Sequence, residues 1–351
     1  MGHIQLENIE MNHPRLLNKA LSWFVIGLIW LITLGPVILL GVLSLLTFDA
    51  LRNPERYKGV ERLWTRSASK LYYMREAHIW QARRDCVRYD PELLYVPSQG
   101  CAFENREFAT TLTFTQQYGR TTGGSQTQGR PVLILGDSVA MGWGVNDNET
   151  YAHHLAGSIG VPVHNLGVSS FGTVRELIRG MRSPAFHSSN CIILQYHEND
   201  LDENRTFLQQ GFLPASTEDK FESLVQSPKI STVEASRFIW HEIKLYFGLV
   251  KDDAASDANL FLTVVARFPA YHEKTIFVVS GIGAGREFGE ALRGAPNRPG
   301  NIIPVHVLTR RGDAYPLDRH HNAVGHQSIA SQLVEQLGNH KKWHDCITGH
   351  D

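Results

Sequence analysis

The stretch Val132-Leu133-Ile134-Leu135-Gly136-Asp137-Ser138, followed by Gly142 and Gly144, decides how this chain is read. Four consecutive apolar residues ending at a glycine suit a strand buried on both faces. Ser138 then falls on a glycine-flanked turn at the carboxyl end of that strand, near backbone N–H groups if a helix opens there. A serine that merely caps a helix leaves the same trace, so this motif needs company before it means chemistry.

Working outward, apolar runs recur at residues 161–166, 191–196, 275–280 and 302–308, with helical patterns near 151–159, 174–182, 236–250, 259–268 and 325–337. Strands spaced by helices predict a parallel sheet covered on both faces, with ligands at the carboxyl ends of its strands. The second strand runs into Asn165-Leu166-Gly167-Val168-Ser169-Ser170-Phe171-Gly172-Thr173, a small-residue loop that lets backbone amides approach a ligand. The third ends in Gln195-Tyr196-His197-Glu198-Asn199-Asp200. A neutral amide there can donate to a developing oxyanion without titrating. Ahead of the last helical pattern stands Asp318-Arg319-His320-His321-Asn322, with Gly325-His326 beyond it. An acid that close to a histidine can fix the imidazole tautomer and stabilise the imidazolium. His326 reads as a helix-start residue. Each piece alone is an ordinary turn or cap; the four in this order, each near a strand end, point to one site.

Upstream the texture differs. Residues 20–48 carry no charge and are bracketed by Lys19 and Asp49. About 20 apolar residues cross a bilayer, and a core helix would show a polar face, so the run reads as a retained transmembrane anchor. Gly35-Pro36 lies in its middle, where proline removes a backbone donor and can kink a helix. Residues 54–84 mix basic residues with Trp64, Tyr72, Tyr73 and Trp80, which suits either a helix on a membrane surface or a solvated linker. Arg15 and Lys19 precede the anchor, whereas Arg52, Arg56, Lys58, Arg62 and Arg66 follow it. That count alone places the following domain in the cytoplasm.

A formal net charge of −1 argues for no nucleic-acid partner. The four cysteines form no CxxC and no Cys/His cluster, so neither metal nor cofactor is expected. Cys86 and Cys101 flank a short segment and can pair, which requires an oxidising compartment. Cys191, inside an apolar run, reads as core packing. The expected divisions are a tail at 1–19, the anchor at 20–48, a basic juxtamembrane helix at 49–85, a strand-and-loop segment at 86–128, an α/β hydrolase domain at 129–340 and a tail at 341–351. Residues 110–115 alternate as a strand would, and 121–129 form a glycine-rich loop.

With these residues in view, the chain resembles the SGNH, or GDSL, hydrolase superfamily, whose four blocks supply serine, glycine, asparagine and histidine. The likeness spans about 131–337 and takes in Tyr89-Asp90-Pro91-Glu92-Leu93, a segment similar to one in membrane-bound members linked to bacterial surface polysaccharides. The resemblance implies a flavodoxin-like three-layer α/β/α domain. It makes Ser138 the nucleophile and one oxyanion donor, with Ser170 and Asn199 as the others. It makes Asp318 the acid. For the base, His320 fits a His-x-Asn spacing and is carried forward, while His321 fits Asp-x-x-His. Two positions depart from the pattern: Ser170 stands where the family has glycine, and His197 stands two residues before Asn199 where glycine is usual.

The reading that follows is a membrane-anchored serine esterase, or O-acetyltransferase, working through an acyl-enzyme on O-acyl groups of a glycan outside the cytoplasm. Rival readings are a non-catalytic membrane subunit binding a glycan or protein, and a lipid esterase or thioesterase.

Overall fold

The computed structural model describes residues 13–52, 58–74, 79–115, 119–122, 129–213, 216–226, 231–247, 249, 253–282 and 286–348. Residues 1–12 and 349–351 of the expected tails, 53–57 and 75–78 of the basic segment, and 123–128 of the glycine-rich loop lie outside them.

The chain divides at Arg66 into two compact units. In the first, α1 (His13–Arg52) runs as one helix through Pro36. Its stretch Ser22–Val42 is apolar and long enough to cross a bilayer. Side chains such as Trp23, Trp30 and Leu31 stay exposed along it. Helix α2 (Lys58–Tyr73) follows.

The second unit begins within α2 and holds two antiparallel hairpins. They are β1 (Val87–Asp90) with β2 (Leu94–Pro97), and β3 (Ala102–Asn105) with β4 (Thr110–Thr113). A Cys86–Cys101 disulfide joins their approaches. Trp80, Phe103, Leu112 and Phe114 bury their side chains there in the same core as one face of the main sheet.

That sheet comprises β5 (Val132–Leu135), β6 (Val163–Asn165), β7 (Cys191–Gln195), β8 (Thr275–Ser280) and β9 (Ile302–His306), all parallel, in the order β6-β5-β7-β8-β9. This is the flavodoxin-like 2-1-3-4-5 order, as expected. Alternation along each strand explains the layering. Leu133, Leu135, Ile192 and Leu194 face α5 (Thr173–Met181), α9 (Ala254–Ala266), α10 (Arg286–Gly294) and the hairpins. Val132, Ile134 and Ile193 face α4 (Tyr151–Ile159), α11 (Ala323–Gly338) and α12 (Lys341–Thr348).

The reading of Cys191 as core packing is incomplete. It is buried at the start of β7, but it is also bonded to Cys346 of α12, 155 residues away. α8 (Thr232–Tyr246) falls within an expected helical pattern, but α6 (Asp200–Gln210), α7 (Glu218–Gln226), α10 and α12 were not anticipated, because sequences such as DLDENRTFLQQ carry too few apolar residues for a helical period. Asp200, Asp202 and Glu203 in the first turn of α6 instead favour a helix start through its dipole.

Candidate active site

The turn after β5 is built around Ser138. Gly136 adopts φ +152°, and a Cβ there would lie 2.6 Å from that of Ala140, so only glycine fits without a shift. Asp137 caps the short helix α3 (Ser138–Met141) by accepting from the Val139 N–H at 2.9 Å. The side chain of Asn165, at the end of β6, donates to Ala140 O at 2.8 Å and accepts from the Gly167 N–H. Arg120, buried, donates to the Met141, Gly142 and Val145 carbonyls and pairs with Asp147. The serine turn is thus held from three sides. Sequence reading missed Arg120, whose only signal was a charge at the edge of a polar loop.

His320 Nε2 stands 2.7 Å from Ser138 Oγ, and its Nδ1 stands 2.6 Å from Asp318 Oδ1. Its backbone N–H also donates to Oδ1, at 3.1 Å. Asp318 Oδ2 accepts from the Tyr73 hydroxyl at 2.5 Å and the Trp143 indole N–H at 3.3 Å. Burial pushes the Asp318 carboxyl up, but the His320 charge, the hydrogen bonds with the His320 ring and the Tyr73 hydroxyl, and the His320 backbone N–H outweigh it and hold the group below its ordinary range. For His320, burial acts to lower the imidazole, and the charge and hydrogen bond of Asp318, with Asp137 adding to them, raise it above its ordinary value.

The neighbouring histidines behave differently. Burial first, then the charge of His320, push His321 down to about 4. Among the described residues, neither of its ring nitrogens has a hydrogen-bond partner. His326 lies in the first turn of α11, fully buried, and its Nδ1 accepts from the Tyr151 N–H at 3.2 Å. Among the described residues, neither is hydrogen-bonded to Ser138.

Ser170 adopts φ +64°, so a non-glycine residue does occupy the left-handed region at this position. Arg175 steadies it by donating to Ser170 O at 2.7 Å, while its Nε pairs with Glu203 at 2.6 Å. Among the described residues, the Ser138 and Ser170 N–H groups donate to no protein acceptor. Asn199, the residue preceding α6, donates one amide hydrogen to Phe171 O at 3.2 Å, which leaves the other. Ser138, Ser170 and Asn199 line one open cleft of about 420 Å³ together with Gly172, Arg175, His197, Asp202 and Glu203. His197 Nδ1 is 3.8 Å from Asp137 Oδ2. Arg175 and Glu203, in the first turns of α5 and α6, were not foreseen, since no motif includes them. No group of three or more His, Cys, Asp or Glu suited to a metal occurs among the described residues.

No family model and no curated protein matches the sequence. Solved structures do match by shape. One is described as a putative lipolytic protein of the G-D-S-L family from Desulfitobacterium hafniense, 11% identical, covering 59% of this chain and 98% of that one at a TM-score of 0.35. Another is a member of the lipolytic protein G-D-S-L family from Veillonella parvula, 14% identical, covering 60% and 98% at 0.37. A third is a family two carbohydrate esterase from Clostridium thermocellum in complex with cellohexaose, 14% identical, covering 63% and 66% at 0.38. The likeness at such identities concerns the fold; the chemistry rests on the distances above.

Proposed function

We propose that this protein is a serine esterase that removes O-acyl groups from a glycan through an acyl-enzyme. The observation carrying the proposal is the continuous hydrogen-bond chain from Ser138 Oγ through His320 to Asp318, at 2.7 and 2.6 Å. Ser138 Oγ attacks the ester carbonyl while His320 Nε2 takes its proton, and Asp318 stabilises the imidazolium. The carbonyl oxygen becomes an oxyanion met by the Ser138 and Ser170 N–H groups and the Asn199 amide, each worth roughly 3–4 kcal/mol to the transition state. The C–O bond then breaks, and His320 returns the proton to the departing sugar hydroxyl. Water, or a second hydroxyl in a transferase, attacks the acyl-enzyme by the same route in reverse.

Glycan rather than lipid is favoured by the polar cleft lining of Arg175, His197, Asn199, Asp202 and Glu203, which suits hydroxyl groups better than an alkyl chain. The resemblance of residues 89–93 to membrane-bound surface-polysaccharide enzymes supports the same class. α1 serves as a retained anchor, and the domain faces an oxidising space outside the cytoplasm, a placement supported by two disulfides.

Labelling with a fluorophosphonate probe tests the reading before any substrate is known. Wild-type protein should label at one serine and Ser138→Ala should not, with its thermal unfolding unchanged. An unlabelled wild type, or a Ser138→Ala protein that still labels, removes Ser138 as nucleophile.

A further inference from the structure

The acid and base of the proposed site come from the loop before α11, and the nucleophile from the turn after β5. Tyr73 comes from neither. It closes α2, whose preceding turns follow the apolar helix in sequence. Its hydroxyl lies 2.5 Å from Asp318 Oδ2, 3.1 Å from Asp318 O and 3.2 Å from His320 Nδ1.

A phenol has one proton, and the shortest contact takes it to the carboxylate. Toward Nδ1 the same oxygen then presents only lone pairs. Nδ1 therefore faces two acceptors, Asp318 Oδ1 and the Tyr73 oxygen, and the tautomer with hydrogen on Nδ1 is the one both reward. That tautomer leaves the Nε2 lone pair directed at Ser138 Oγ, as a general base requires. With Oδ2 occupied by Tyr73 and Trp143, Oδ1 is the oxygen left for His320.

From this geometry we infer that Tyr73 is a positioning residue for the Asp318–His320 pair, so that the α2 helix behind the apolar segment completes the esterase site. The inference rests on the serine-esterase reading. Tyr73 touches no reacting atom; it acts through the acid and the base. Among the described residues, the other titratable groups around the pair are Asp137, Glu107, Tyr315, His321 and His326, none of which is altered in sequence by a change at Tyr73.

The test compares Tyr73→Phe with Tyr72→Phe, a change of the adjacent ring on the same helix. Fluorophosphonate labelling rates of the full chain in detergent are followed from acid to neutral pH. A hydrogen bond to a charged group accounts for roughly ten- to a hundred-fold, so Tyr73→Phe should label that much more slowly than wild type. Removing the phenol takes a donor from Asp318 and an acceptor from beside Nδ1, both of which bear on the imidazolium, so the pH at which His320 loses its proton should move. A helix that only packed against the domain would not move that midpoint. Tyr72→Phe should leave rate and midpoint unchanged. A Tyr73→Phe rate within about two-fold of wild type, or a slower rate with an unmoved midpoint, overturns the inference and leaves the esterase reading standing. A wild type that fails to label overturns both.

Discussion

His320 and His321 are adjacent, yet only His320 reaches both Ser138 and Asp318. The reason is Arg319, whose φ of +71° turns the chain so that residues 318 and 320 face each other. Spacing alone cannot reveal that turn, which is why both histidines fitted a pattern in the sequence. His320→Ala should cost at least about a thousand-fold in labelling or hydrolysis. His321→Ala should cost far less in rate, and the reverse order would move the base to His321. The pH dependence follows from the same contacts. His320 must be neutral to accept a proton, and its pKa is raised above 6.5, so activity should fall as pH drops through a midpoint above that value. Asp318, held low, stays ionised throughout this range. A midpoint at or below that of free imidazole would mean that the Asp318 contact is absent in solution. Ser138 and Asn199 stood out because each follows closely on a strand end, and Asp318 because of its spacing to the two histidines. Arg120 and Tyr73 did not, because each reaches the site from a distant segment, and Arg175 did not, because nothing local marks which helix side chain turns back onto the Ser170 carbonyl.

At the scale of elements, the sheet was readable because its strands are short, lie in mainly apolar runs and are separated by helices. β8 was bounded to the residue and β7 to within one. The helices α6 and α12 were not, since polar composition hides their period and tertiary contacts fix them instead. Trp343 of α12 packs edge-on against Phe277 of β8, with ring centroids 5.4 Å apart. The Cys191–Cys346 bond fastens the same helix to β7. Closing so long a loop removes freedom mainly from the unfolded chain, an effect of about 2–4 kcal/mol. Cys346→Ser, or mild reduction of wild type, should therefore lower Tm by roughly 5–15 °C. Thiol titration of the unreduced, unfolded wild type should find no free thiol. An unchanged Tm would assign the stability of α12 to Trp343 packing alone.

For the whole molecule, two opposing observations bear on which side of the membrane the domain faces. Basic residues after the apolar stretch, Arg52, Arg56, Lys58, Arg62 and Arg66, outnumber Arg15 and Lys19 before it, which favours a cytoplasmic domain. Against that, all four cysteines are paired, and such bonds persist in oxidising spaces and are rare where thiols are kept reduced. The charge count is the weaker of the two. Basic groups beside a membrane are also drawn to anionic headgroups, at about 1 kcal/mol each, so a cluster there has a use on either side. A buried disulfide between the central strand and the C-terminal helix has no such second use. The domain is therefore expected outside the cytoplasm, where an O-acylated envelope glycan would meet it. A reporter active only in an oxidising compartment, fused after Asp351, should give signal, and a cytoplasmic reporter at the same junction should stay dark. The opposite result would reverse the topology. The cysteines would then be reduced in the cell, Cys346→Ser would leave stability there unchanged, and the substrate would have to be sought among cytoplasmic or inner-leaflet esters.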